Sequence, residues 1–365
     1  MKTRLLSFLA CPECANAPLA LDAFVHEGDE VLEGVLSCAD CARRYPVIAG
    51  VPRLLPDALL AALAQYHPDF FRRYQLPLPG QHEHDAVART LTFYSFARAK
   101  LFTPQVGPAL HAYWQHSLRT RIPEVAGFRG QIGLDAGCGE GRYTYCLAEA
   151  GAEVIGLDLS EAVTLAYRRN RDHPRAHIVQ GSIYQPPFRR SSLAFVMSTG
   201  VLHHLPNPRR GFEALVPLLH PGGSMHIWVY GLRQMSRVYA LSHLTAPRRW
   251  TSRLPPQASY LLSIPIALAL HWAAFKPLQL LARHPAVAGR INPQLRELAA
   301  LPFQMHLAEV HDRLGVPITH YLTEAEVHAW YAQAGFEEII VAQTAGGRGW
   351  SARGRLPALV AERFR

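Results

Sequence analysis

The stretch that decides the fold is LDAGCGEGRYTYCLAEAGAEVIGLDLS, residues 134–160. An apolar run that includes Ile132 and Leu134 ends on Asp135 and enters a turn, Gly137-Cys138-Gly139-Glu140-Gly141. A helix-compatible segment follows, and a second apolar run, Val154 to Leu157, ends on Asp158. Strand, glycine turn, helix and a strand closing on an acid make half of a nucleotide-binding βαβ unit. The glycines permit a sharp turn and let a ligand lie against the backbone, near the N–H groups of the helix start. Asp158 stands 17 residues beyond Gly141, where a carboxylate can accept bonds from two ribose hydroxyls. Dinucleotide folds use G-x-G-x-x-G to seat a pyrophosphate. Here the run is D-x-G-x-G-x-G, with acids at Asp135 and Glu140. Those carboxylates repel a pyrophosphate and suit a ligand that carries an ammonium group.

Working outward, SSLAFVMSTGVLHHLPNPRRGFEALVPLLHPGGSMHIWVY (191–230) reads as a strand, a G-V-L-H-H-L loop, a helix, and a P-G-G turn into another strand. With these two stretches the chain resembles the class I S-adenosylmethionine (SAM)-dependent methyltransferases of the type 11-like kind. Gly181-Ser182-Ile183 occupies the place of the family's G-D-A/I element after the third strand. The aspartate that holds the adenine amine in the family is Ser182 here; a serine can still accept one bond, and Ile183 can pack on the ring. The resemblance implies an α/β fold with a Rossmann-like seven-stranded sheet ordered 3-2-1-4-5-7-6. It also implies a SAM site built from Asp135, Gly137, Gly139, Gly141, Asp158, Leu159, Ser182 and Ile183.

Near the start of the chain, Cys11-Pro-Glu-Cys14 and Cys38-Ala-Asp-Cys41 leave 23 residues between the two C-x2-C pairs and use four of the six cysteines. Each pair presents two thiolates to one tetrahedral ion, and two pairs close a structural zinc site with no position left for water. A redox pair would need a thioredoxin-like context, and two disulfides an exported protein; neither is indicated. Together with YPVIAGVPRLLP (45–56) this segment resembles the small zinc-ribbon family of the methyltransferase-activator type, over residues 5 to about 56.

The 365 residues suffice for two or three domains, and 49% hydrophobic content argues against extended disorder. A net charge of +9 permits a nucleic-acid or anionic-membrane partner without demanding one. In MKTRLLSFLAC the apolar stretch before Cys11 is shorter than the roughly 7–15 residues of an export signal. A cytoplasmic location is therefore expected, with Cys138 and Cys146 as buried free thiols. The expected divisions are a zinc ribbon at 1–56, a helical pre-core segment at 57–125, the SAM-binding core at 126–230, a helical insertion or lid at 231–321, and the rest of the core at 322–365.

Core strands are expected at 132–135, 153–157, 176–179, 193–198 and 224–230. Helices should begin near Arg142, at Ser160 as N-cap, near Pro208, and at Thr323 with a capping sequence. A closing pair of strands is expected at 338–342 and 356–361, joined by a glycine-rich hairpin at 345–349. Residues 59–74 read as helical, and 75–85, with His82 and His84, as a linker.

The insertion is rich in proline, so its helices should be short or kinked. Its apolar stretch 258–275 is expected to form a lid over the active site that selects the substrate, or to contact a membrane surface; Pro265 argues against a span.

His203 and His204 follow the fourth strand, at the edge where open α/β sheets bind ligands, and are the candidate general bases. His306, Asp312, His320 and Tyr321 are alternatives. The leading expectation is a SAM-dependent methyltransferase acting on a small lipophilic molecule. The alternatives are an RNA methyltransferase that uses the ribbon for RNA recognition, and a non-catalytic scaffold that keeps the fold.

Overall fold

The computed structural model describes residues 1–14, 17–76, 92–97, 100–102, 107–231, 250–284, 287, 289–291, 296, 299–344 and 349–358. The opening stretch folds as read. β5 (Ile132–Ala136), the glycine turn, α4 (Arg142–Glu149) and β6 (Glu153–Asp158) form the first βαβ half. It continues through α5 (Ala162–Asn170), β7 (Ala176–Gly181), β8 (Leu193–Thr199), α6 (Pro208–Leu215) and β9 (Leu219–Tyr230). These strands are nearly continuous apolar runs because helices cover both faces of the parallel sheet. On one face, Trp114 and Leu118 of α3 (Pro108–Arg121) and Leu147 of α4 pack against Phe195 and Met197. On the other, Phe212 of α6 and Val327, Trp330 and Tyr331 of α9 (Glu324–Gln333) pack against Leu134, Val196 and Ile227.

The chain then closes the sheet with β10 (Glu337–Gln343) and β11 (Gly349–Arg355), the latter antiparallel to β9. The order β7-β6-β5-β8-β9-β11-β10 is 3-2-1-4-5-7-6 in core-strand numbering. The strand after β10 lies at Gly349–Arg355, and the described part of the expected 356–361, residues 356–358, is not strand. The two arginines and two glycines of β11 hide the strand in the sequence. What fixes it is Trp350, which is buried and donates its indole N–H to the Leu322 carbonyl at 2.8 Å. Residues 345–348 of the expected hairpin and 359–361 lie outside the described residues.

Two helix starts need correction. α5 begins at Ala162 with Glu161 as N-cap; Ser160 donates its hydroxyl to Asp158 at 2.7 Å and accepts a long 3.4 Å bond from the Ala162 N–H. The helical region 59–74 is two helices, α1 (Asp57–Tyr66) and α2 (Pro68–Tyr74), broken where Pro68 cannot continue the first. His82 and His84 lie outside the described residues.

The ribbon is not a separate bead. Its strands β1 (Leu19–Glu27), β2 (Glu30–Cys38), β3 (Arg44–Ile48) and β4 (Val51–Leu54) form an antiparallel meander. β4 then pairs in parallel with β7, Arg53 opposite Gln180 and Leu54 opposite Gly181. Among the described residues this makes one 11-stranded sheet, β1-β2-β3-β4 running straight into the core strands. Met1, Leu5, Leu9 and Tyr45 belong to the same apolar cluster as Leu157 and Phe188.

The insertion contributes α7, one 26-residue helix Pro256–Leu281 with a π-helical turn at His271–Phe275, and α8 (Phe303–Gly315) packed along it. Pro265 sits inside α7 without ending it. Both ends of the insertion are tied to the core, through a parallel bridge between Gly231 and Leu322.

Candidate functional site

The turn after β5 needs its glycines. Gly137, Gly139 and Gly141 have φ of +86°, +54° and +76°, left-handed conformations that side-chain-bearing residues adopt at a cost. The N–H groups of Gly137 and Cys138 both donate to the Leu157 carbonyl, at 2.7 and 3.0 Å, which pins the loop to β6. Asp158, at the end of β6, accepts from the Gly139 N–H at 2.8 Å on one carboxylate oxygen. Its other oxygen accepts from the Ser160 N–H at 2.9 Å and the Ser160 hydroxyl at 2.7 Å. The carboxylate is thereby held in one orientation at the carboxyl edge of the sheet, with acceptor capacity left over.

A cavity of about 490 Å³ opens there. Of the expected cofactor residues, Gly137, Gly139, Asp158, Leu159, Ser182 and Ile183 line it. The volume falls within the roughly 300–1,000 Å³ of small-molecule sites. Bare glycine backbone, a fixed carboxylate and the flanking apolar side chains Leu159 and Ile183 fit SAM.

Two expected residues are placed elsewhere. Gly141 does not line the cavity; an added Cβ would come within 2.5 Å of the Asn170 amide and 2.9 Å of Ala166, so this glycine serves the packing of the loop on α5. Asp135 is also outside the lining; only 2% exposed, it accepts from the Thr144 hydroxyl at 2.8 Å behind the loop. Burial pushes its pKa up to about 7.

The two candidate bases separate clearly. His203 is fully buried, stacks on Tyr230 with centroids 3.9 Å apart, and its Nδ1 accepts from the Tyr230 N–H at 3.3 Å. It shapes the loop and does not line the cavity. His204 does line it. Its Nδ1 lies 2.8 Å from the Ile318 carbonyl, which can only accept, so Nδ1 carries a proton; the Thr319 hydroxyl lies 3.1 Å from the same nitrogen, and Nε2 is the nitrogen that can exchange a proton. His306, His320, Tyr321 and Asp312 do not line the cavity. His306 pairs with His271 at 2.8 Å, and Tyr321 stacks on Tyr230.

Nor does any described residue of the insertion line it, against the expectation of a lid. The pre-core segment contributes Tyr94 to the lining, and Pro56 and Leu59, following the ribbon, line it as well. Aromatic richness at 92–97 was the available signal for Tyr94; nothing in the sequence marks Pro56 or Leu59.

Behind Leu159 lies a buried polar knot. Arg53 of β4 is 0% exposed. Its guanidinium donates to Gln180 Oε1 at 2.7 Å, Glu161 Oε2 at 3.0 Å and Thr164 Oγ1 at 2.9 Å. Gln180 in turn donates to the Leu159 carbonyl at 3.0 Å. His67 reaches Glu161 at 3.1 Å. Burial raises the Glu161 carboxyl, but the His67 hydrogen bond and the Arg53 charge prevail and hold it at about 2.

At the far end of the ribbon the four cysteine sulfurs lie within 4.8 Å of one another. Cys11 and Cys41 are 3.7 Å apart, Cys14 and Cys38 3.8 Å. Zn–S bonds of about 2.3 Å in a tetrahedron require S···S edges of about 3.8 Å, so the set fits zinc. His111, Cys146 and Glu149 also cluster. There His111 and Glu149 hydrogen-bond directly at 2.6 Å, and burial raises Cys146 to about 12, which describes a hydrogen-bonded pair over an inert thiol.

Comparison with known proteins agrees with this geometry. A model of the methyltransferase domain matches residues 134–227, and a model of Trm112p-like proteins matches residues 2–50. The chain thus carries a methyltransferase domain and a Trm112p-like zinc-ribbon domain. An uncharacterized protein of Synechococcus sp. is 36% identical over 154 residues, 38% of this chain and 37% of that protein. An uncharacterized methyltransferase of Mycobacteroides abscessus is 28% identical over 165 residues, 41% of this chain and 63% of its own length. A tRNA U34 carboxymethyltransferase of Idiomarina loihiensis is 29% identical over 153 residues, 36% of this chain and 47% of that enzyme. The matches therefore span 37% to 63% of these relatives.

Proposed function

We propose that the protein is a SAM-dependent methyltransferase whose acceptor is a small lipophilic molecule. One observation carries this reading: a single cavity joins the glycine loop and Asp158 to a wall made by Tyr94, Val201, Leu205 and His204. Bound SAM supplies a methyl group already activated on a sulfonium. The chain's own residues then have three tasks. Gly137, Gly139 and Asp158 would fix the donor, with Leu159 and Ile183 against its adenine. Tyr94, Val201 and Leu205 would give an acceptor an apolar wall and keep water out, and holding the partners in line supplies much of the rate. His204, oriented by Ile318, would take the acceptor's proton on Nε2.

The test combines binding and turnover. Asp158→Ala should weaken SAM binding by roughly 1–3 kcal/mol, the loss of charge-assisted hydrogen bonds. His204→Gln should leave SAM affinity unchanged and slow methylation about 10²–10⁴-fold. Labelled methyl incorporation from SAM in a host extract, separated into lipid, small-molecule and RNA pools, identifies the acceptor class. Label confined to RNA would replace this reading with the one favoured by the Trm112p-like ribbon and by the likeness to a tRNA-modifying enzyme. SAM binding unchanged in Asp158→Ala would remove the donor placement.

A further inference from the structure

α7 is inside out. Ser259, Ser263, Ala267 and His271 recur every fourth residue on one stripe, and all four are buried. That stripe packs along α8, and Ala267 shares a cluster with Ala97 and Leu101. The opposite face carries Leu261, Leu268 and Trp272, at 65%, 42% and 65% exposure. A helix of a soluble protein turns its large apolar side chains inward and its small polar ones to water. Here the small polar residues face the protein and the leucines face out. Of the twelve large hydrophobic residues exposed among the described residues, nine lie between Trp250 and Leu281. Scattered apolar residues need no explanation, but a contiguous patch on one element marks an interaction surface.

Charge says what the patch meets. No Asp or Glu occurs anywhere in residues 214–296, while 231–296 holds nine Lys and Arg. The other 28 of the 37 basic residues equal the 28 acidic ones, so the whole net charge of +9 resides in this segment. Within the described part, Arg253 and Arg283 flank the exposed helix and Lys276 lies in its last turns, where it donates to Gln279; no ion pair to a described residue is formed by any of the three. Trp250 is 74% exposed beside Arg253, whose guanidinium lies 5.9 Å from its ring. Exposed leucines, the exposed Trp250 and Trp272 and a run of cations without acids are the composition of a helix lying in the interface of an anionic bilayer. A protein partner would need acids and a matching apolar groove; the lipid surface needs only what is here.

We infer that this protein docks on anionic membrane through the Trp250–Leu281 face, with α7 lying in the plane of the headgroups. A transmembrane path does not fit, because the buried stripe of α7 is committed to α8, which carries Glu309, Asp312 and Arg313. Docking would set the active site at the membrane. Phe93 and Phe96 of the stretch 92–97 pack on His311 and Tyr260 of the insertion, and Tyr94 of the same stretch lines the cavity. The inference goes beyond the proposed methyl transfer and stands whatever the acceptor is.

Vesicle cosedimentation of the full chain tests it, using phosphatidylcholine alone and phosphatidylcholine mixed with phosphatidylglycerol, at low and high salt. The expected result is partition onto the anionic vesicles that falls with salt and is weak on the neutral ones. Leu261→Glu with Trp272→Glu should reduce partition by at least about ten-fold, since two side chains leave the acyl boundary. Arg253→Gln with Arg283→Gln should lower it several-fold and flatten the salt dependence. SAM affinity, measured on every variant, verifies folding and keeps this outcome separate from the methyltransferase reading. Absence of partition by the unaltered protein overturns the inference. So does a dimer in solution that the Leu261→Glu, Trp272→Glu variant dissolves, which assigns the face to a second copy. Resistance to alkaline carbonate extraction overturns it in favour of a span.

Discussion

The ribbon and the insertion are both additions to the same core sheet, and they dispose of their surfaces in opposite ways. The ribbon gives its last strand to the open edge at β7 and buries Arg53 beneath the cofactor cavity. An exposed strand edge is a hazard that proteins cover, and here covering it fuses the two domains into one sheet. The insertion leaves the sheet after β9, returns at Leu322, and turns its largest apolar side chains outward. Through the ribbon the core gains hydrogen bonds and packing. Through the insertion the molecule gains a surface. An addition that shares backbone hydrogen bonds should be inseparable from core stability, and one that packs by a single helix stripe should tolerate change on its far side.

Removing zinc should have the largest effect. Binding energy of a structural zinc is folding energy, so Cys38→Ser should lose the metal and unfold the meander of β1 to β4. Had the ribbon been an independent bead, the core would be indifferent. With β4 paired to β7 and with Pro56 and Leu59 lining the cavity, the variant should also lose thermal stability in the core and weaken its hold on SAM. Metal analysis, a melting curve and SAM titration on the same preparation decide it. A zinc-free variant with an unchanged melting point and SAM affinity would break the comparison at its first side.

Arg53 tests the seam itself. Truncating one partner of a buried ion pair typically costs about 3–5 kcal/mol, because the other charge is left stranded. Arg53→Ala should lose stability on that scale at neutral pH, whereas Arg53→Met with Glu161→Leu should lose much less. The acid limb gives an independent reading. Glu161 is held at about 2 in the folded protein against an ordinary value of 4.5. Its contribution is therefore present above pH 4.5 and lost as pH falls toward 2. In Arg53→Ala the folded value rises toward 4.5, so the stability profile between those limits should flatten. Denaturant unfolding across that pH range measures both.

What the sequence made legible follows from the distance over which each signal acts. The glycine turn, Asp158, the two C-x2-C pairs and the capping box at Thr323 are local patterns, each specified within a few residues or by cysteine spacing. The seam was not legible. Arg53 in VPRLLP reads as a surface arginine, because its partners Glu161 and Gln180 stand 108 and 127 residues away. Neighbouring histidines with the same chemistry, His203 and His204, could not be told apart until packing put one in the core and the other at the cavity. Gly141 looked like its two companions in the motif, although its neighbours are Asn170 and Ala166 and not the ligand site. The inverted face of α7 escaped for a different reason. Period-four placement of Ser259, Ser263, Ala267 and His271 was present in the sequence, but small residues are read as a core stripe only once a partner helix is known.

The smallest expected effect is the sharpest test of the insertion's half of the comparison. Ala267 lies on the buried stripe with 0% exposure, and Leu261 lies on the outer face at 65%. Ala267→Leu forces three extra carbons between α7 and α8 and should cost about 1–3 kcal/mol, as overpacking does. Leu261→Glu replaces one good helix former by another, so propensity changes little. If the outer face meets only water or lipid, its effect on unfolding in solution should stay within about 0.5 kcal/mol. A side chain covered by another part of the protein would behave differently, since a buried unpaired carboxylate costs several kcal/mol. The two substitutions are six residues apart on one helix and differ in the direction they point, so helix loss cannot mimic the result. Equal destabilisation by both would mean that α7 is enclosed on all sides, and the membrane-facing reading would fall with it. A large loss for Ala267→Leu beside near-neutrality for Leu261→Glu would show that the stripe is packed against α8 while the leucine face is left uncovered by this chain, as docking on a membrane requires.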